Sequence, residues 1–126
     1  MDPSTVLYSL FGPFLVWPIE YFLPYPFIIE ELFKVLVVWF GPRKAKVYLL
    51  AGILFATTET VLYTINVNIT GTVTYMFLRF ASTSILHSTT FLIIYYFTRQ
   101  NKKLIIFGFI ISALFHYLYN NFIPSF

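Results

Sequence analysis

Glu30, Glu31 and Lys34 are the only charged residues in the run from Phe27 to Phe40, which is otherwise apolar. Charge at that depth in hydrocarbon costs roughly 2.5–3.5 kcal/mol per residue, so each of these groups needs a partner. On a helix, Lys34 lies one turn from both acids, with Glu30 at i−4 and Glu31 at i−3. The two carboxylates point about 100° apart, and one lysine does not neutralise both fully. The acid left over must face a polar cavity, a metal or another cation. A carboxylate held there, partly desolvated, is a better general base than an exposed one.

Other groups able to do chemistry are spaced to join it. Glu59 is followed one turn on by Tyr63; Arg79, Thr83, His87 and Thr90 lie at helical spacing, as do Ser112, His116 and Asn120. Lipid cannot satisfy hydrogen bonds, so such polar stripes must face the interior of a helical bundle. At 1.5 Å per residue, Glu59 and His116 each lie roughly 18 Å into their segments, and His87 reaches a similar level from the opposite side. Imidazoles and carboxylates at one level could activate a water, and the Asn120 amide could serve as an oxyanion donor.

The elements that must position these residues are hydrophobic segments. The chain has 126 residues, 59% hydrophobic and only 10% charged, with no cysteine. A soluble domain carries about 25% charged residues, so the composition is that of an integral, multi-pass membrane protein embedded in the lipid bilayer. Without cysteine there is no disulfide framework and no thiolate nucleophile. The net charge of +3 is small, and six of the eight basic residues fall in two short loops, which sets membrane orientation and argues against nucleic-acid binding. Asp2 and the breaks at Gly12, Pro13 and Pro18 do not read as a cleaved signal peptide.

Five hydrophobic segments are predicted, at about 5–23, 27–40, 47–65, 73–97 and 104–123. The first is kinked or re-entrant, because Gly12-Pro13 and Pro18 interrupt it. The second is short for a span, and its start is expected to reach back through Pro26 and Pro24; Gly41-Pro42 stops it. The fold class is therefore all-α, a polytopic membrane helical bundle in a single domain, 1–126. The positive-inside rule makes the basic loops 41–46 and 99–103 cytoplasmic, which puts the converging acids and imidazoles nearer the outer side. Lys34 reads as counter-ion to Glu30 or Glu31, Arg79 as partner of Glu59 or of those acids, and Thr83 and Thr90 as packing residues. Glu20 reads as hydrated at the interface.

Together these residues resemble the motifs of one family. Glu30-Glu31-x-x-Lys34 looks like the EExxK motif of the PrsW-type intramembrane proteases, within the CAAX protease and PrsW superfamily. Phe55-x-x-x-Glu59 resembles their second motif, His87 the third and His116-x-x-x-Asn120 the fourth, in family order across about residues 26–121. The resemblance implies hydrolysis of a peptide bond in a membrane-tethered protein or peptide substrate. It implies Glu31 or Glu30 as base, His116 and Asn120 polarising the carbonyl, and Glu59 and His87 completing the site. No cofactor is the expectation, since no HExxH-type pair supports a metal; the alternative is zinc on Glu59, His87, His116 and one of Glu30 or Glu31. Two other classes fit the same residues: a carrier relaying protons or ions along a Glu/His chain, and a non-catalytic scaffold of the same fold. A relay needs no oxyanion donor, and transporters usually show repeats, of which none is seen. Oligomeric state is not encoded in any pattern here.

Overall fold

A computed structural model describes residues 2–66 and 73–122. It contains five α-helices, α1 (Pro3–Glu20), α2 (Pro26–Phe40), α3 (Ala45–Asn66), α4 (Val73–Gln100) and α5 (Ile105–Phe122), with a short 3₁₀ turn at Lys102–Leu104 before α5. Among the described residues there is no strand. The architecture is the helical bundle expected, with each helix within a few residues of its predicted segment. Most of the predicted polar loop 66–72, from residue 67 on, lies outside the described residues.

Prolines set the beginnings and glycine-proline an end. Pro3 and Pro26 each occupy the first turn of their helices, where no backbone N–H is needed. The second helix does not reach back through Pro24 as expected; it begins at Pro26, and residues 21–25 form the connection. At the other end Gly41 adopts an extended conformation and stops α2. The first segment is one helix with Pro13 and Pro18 inside it, rather than a re-entrant pair of half-helices. Pro13 leaves the Ser9 carbonyl without its helical N–H, and the neighbouring Leu10 carbonyl accepts a hydrogen bond from the Thr58 hydroxyl at 2.5 Å.

Three helical stretches are long and apolar enough to cross a membrane, Ala45–Ile65, Val73–Gln100 and Lys102–Phe122. The protein is an integral membrane protein. Leu, Ile and Phe side chains dominate its exposed surface, while Glu31, Lys34 and His87 are among its most buried groups. That inverts the usual soluble pattern and matches a hydrocarbon solvent. An aromatic and aliphatic core, including Val38, Tyr48, Phe55, Phe91 and Tyr95, joins α2, α3 and α4. Helix α1 lies on α3 and α2, and α5 closes the bundle against α4 and α2.

The α3–α4 pair is the most extensive interface. Gly52 makes it close, because a Cβ there would overlap the backbone and hydroxyl of Ser88. Small residues allow such backbone approach in membranes, where no hydrophobic force drives helices together. The Ser88 hydroxyl secures the contact by donating to the Leu49 carbonyl at 2.9 Å. Gly52→Val should therefore wedge α3 from α4 and cost about 1–3 kcal/mol by overpacking. Thermal unfolding of the purified variant in detergent checks this; an unchanged midpoint would contradict the close approach.

Candidate functional site

Lys34 is the centre of the polar cluster. Its ammonium is fully buried and donates to three acceptors: Glu31 Oε1 at 2.7 Å, Thr90 Oγ1 at 2.7 Å and His87 Nδ1 at 2.9 Å. An ammonium has three donors and no acceptor, so all three are used and the direction of each bond is set. The faces of Phe55 and Phe91, 5.3 and 5.5 Å from Nζ, complete its surroundings.

These directions propagate outward. Because His87 Nδ1 accepts from Lys34, the proton of a neutral ring is on Nε2, which donates to Glu59 Oε2. Glu59 also faces Arg79, with Nη2 at 3.6 Å from Oε1, and the Arg79 guanidinium lies 3.6 Å from the Tyr63 ring centroid. On the other side, Glu31 Oε1 accepts from His116 Nδ1 at 2.8 Å. His116 Nε2 is thereby turned toward Glu30, 3.6 Å from its Oε2. Thr90 accepts from Lys34 and passes its own hydroxyl proton to the His87 carbonyl at 3.1 Å. Ser112 from α5 donates to the Thr90 carbonyl, also at 3.1 Å.

Helix geometry explains the convergence. Glu30 and Glu31 lie in the first half of α2 with Lys34 just past its middle, whereas Glu59 and His116 lie in the second halves of α3 and α5. Alternating helix directions bring these positions to one end of the bundle. The adjacent acids separate as their 100° offset requires. Glu31 points inward and is fully buried, whereas Glu30, 8% exposed, lines a cavity of about 190 Å³. Glu20, Glu59, Tyr63 and Arg79 line the same cavity, between walls that include Pro13, Val16 and Trp17 of α1. Glu30 Oε2, Glu20 Oε1, Arg79 Nε and Glu31 Oε2 are buried with no hydrogen-bond partner among the described residues.

Of the expected site residues, Glu30, Glu31, Glu59, His87 and His116 come together. Asn120 does not: it is exposed a turn beyond His116, and none of the hydrogen bonds described in the cluster involves it. Two groups take part in the cluster beyond what their spacing predicts. Glu20 lines the cavity; its signal is the Pro13, Val16, Glu20 spacing, one face of α1. Thr90, expected as packing, is the acceptor that completes the Lys34 shell.

Donor atoms of Glu30, Glu59 and His87 lie within 4.8 Å of one another, close enough in principle for a shared cation. His116, expected in a zinc set, is not one of these three, but its Nε2 lies 3.6 Å from Glu30 Oε2 and its ring centroid 5.6 Å from that of His87. A metal-binding imidazole usually donates its second N–H to an acceptor. Here the second nitrogen of His87 faces the Lys34 ammonium, a donor, so His87 lacks the outer partner such an imidazole usually has.

No family model, curated protein or solved structure matches this chain.

Both side chains of the Glu31–Lys34 pair are fully buried. Lys34→Met should leave Glu31 buried without its cation and cost about 3–5 kcal/mol, as breaking buried pairs does. The double variant Lys34→Met/Glu31→Gln should recover part of that loss, because the uncompensated charge is gone. Unfolding midpoints of the two variants and of Glu31→Gln form the thermodynamic cycle; strict additivity would deny the coupling.

Proposed function

We propose that the protein is an intramembrane endopeptidase that hydrolyses a peptide bond of a membrane-tethered substrate with a water activated by glutamate and histidine. The observation that carries this reading is the division of labour between adjacent acids: Glu31 is locked by Lys34 and His116, while Glu30 lines the cavity beside Glu20, with His116 Nε2 3.6 Å away. This supports Glu30 over Glu31 as the base. The resemblance to PrsW-type proteases gives the same reaction class.

In this mechanism a water in the cavity sits between Glu30 and Glu59. Glu30 takes its proton as the hydroxide oxygen attacks the substrate carbonyl carbon. His116 Nε2, whose lone pair faces Glu30, receives that proton and delivers it to the departing amine as the C–N bond breaks. His87 holds Glu59 in place through Nε2–H, and Arg79 supplies positive charge at the cavity for the tetrahedral oxyanion. Asn120, exposed on the same helix as His116, is the amide donor available to the carbonyl from outside the cluster. The mechanism is metal-free, since His87 has no lone pair to offer while it accepts from Lys34 and donates to Glu59. By the positive-inside rule the basic loops are cytoplasmic and the cavity lies toward the outer face.

A proton or ion carrier is the second reading, favoured by the unbroken chain Glu59–His87–Lys34–Glu31–His116. That chain gathers near one end of the bundle, whereas translocation needs groups spaced along the membrane normal.

In proteoliposomes with tethered peptide substrates, Glu30→Gln and His116→Ala should each lower cleavage by about 10²–10⁴-fold while the proteins remain folded. Asn120→Ala should lower the rate with no change in thermal stability, because its side chain is exposed. Chelator should leave the wild-type rate unchanged. Wild-type-like cleavage by Glu30→Gln and His116→Ala would remove the protease reading, and proton flux without cleavage would establish the carrier.

A further inference from the structure

At the end of the bundle opposite the carboxylates, we infer a headgroup site for an anionic phospholipid, formed by Arg43, Arg99 and Lys102. These three cations line one pocket of about 100 Å³, together with Trp39, Tyr95 and Thr98. Arg43 comes from the α2–α3 loop, Arg99 from the end of α4 and Lys102 from the turn before α5, so the pocket exists only when all three elements meet.

Its walls are fixed by contacts other than the cations themselves. The Tyr48 hydroxyl donates to the Pro42 carbonyl at 2.8 Å, and the Tyr48 ring stacks on Tyr95 with centroids 5.0 Å apart. This ties the Gly41-Pro42 turn down onto α3 and α4. Gly41 permits it, since a Cβ there would collide with the Tyr48 hydroxyl. Lys102 Nζ lies 4.9 Å from the Trp39 ring centroid, which positions the ammonium at the pocket, and Asn101 caps the 3₁₀ turn by accepting from the Lys103 N–H at 3.0 Å.

The charge is uncompensated. No acidic side chain lines this pocket among the described residues, and the ion pairs described in the chain all belong to the other cluster. The acid at this end, Asp2, lines a separate pocket with Lys44 and Lys46. Three cations around a small polar recess, at the level where an exposed Trp39 ring meets the headgroups, call for a phosphate-bearing ligand of the bilayer. A phosphodiester headgroup satisfies all of them, with its acyl chains remaining in the membrane. Orientation alone needs only basic loops; it does not need their charges gathered around one recess.

The test uses the whole chain in nanodiscs of phosphatidylcholine with or without phosphatidylglycerol. Thermal unfolding and the lipid retained in native mass spectrometry are the readouts. Phosphatidylglycerol should raise the unfolding midpoint of the wild type, and one such lipid should stay bound. The triple variant Arg43→Gln/Arg99→Gln/Lys102→Gln should lose the shift and bind phosphatidylglycerol about a hundredfold more weakly. The control triple Lys44→Gln/Lys46→Gln/Lys103→Gln removes the same charge from the same loops and should keep both. Equal loss in the two triples would show diffuse surface attraction and overturn the site. An equal shift from inorganic phosphate in pure phosphatidylcholine would overturn the lipid as its occupant.

Discussion

A lysine ammonium with no exposure to solvent or lipid organises the interior of this bundle. Moving that charge out of water carries a penalty that is met only if all its donors find acceptors in good geometry. Lys34 finds them on its own helix, at Glu31, and on α4, at His87 and Thr90. The requirement is therefore tertiary: α4 must stand beside α2 at one depth and one rotation, or the ammonium is left unsatisfied. In a bilayer, where lipid tails compete equally with apolar side chains, such polar demands do much to fix how helices sit.

The same ammonium orders the protons around it. Since it can only donate, His87 must accept on Nδ1 and donate from Nε2, and Glu31 must accept from both Lys34 and His116. Each neutral ring thus has one defined tautomer, and the lone pair of His116 is turned toward Glu30. Glu31, His87 and Thr90 hold; Glu30, Glu59 and Arg79 face the cavity. The chemistry proposed for the cavity rests on this polarity of the network rather than on any one residue.

The bundle is also polar along its length. Its glutamates and imidazoles occupy one end and most of its arginines and lysines the other, with Tyr48, Phe55, Phe91 and Tyr95 between. An aromatic layer of that kind separates the two charged ends. Helix α1 contributes to the first end in a way its irregular sequence conceals. Its prolines leave a helix that presents Glu20 to the cavity and the Leu10 carbonyl to Thr58.

Hydropathy, proline and glycine punctuation, and loop charge determined the membrane class, the five helices and nearly all their limits, because these depend on local solvation and backbone sterics. Periodicity also determined that Glu31, Lys34, Glu59, His87 and His116 face inward, since no apolar solvent satisfies them. What only the tertiary structure decided was which acid Lys34 takes, that Glu20 joins the cavity, that Thr90 is a partner rather than filler, and that Asn120 stays outside. Each of those depends on the rotation and depth of one helix against another. Spacing along a single helix restricts a side chain to a face; the neighbour that face meets is set by packing across residues far apart in the chain.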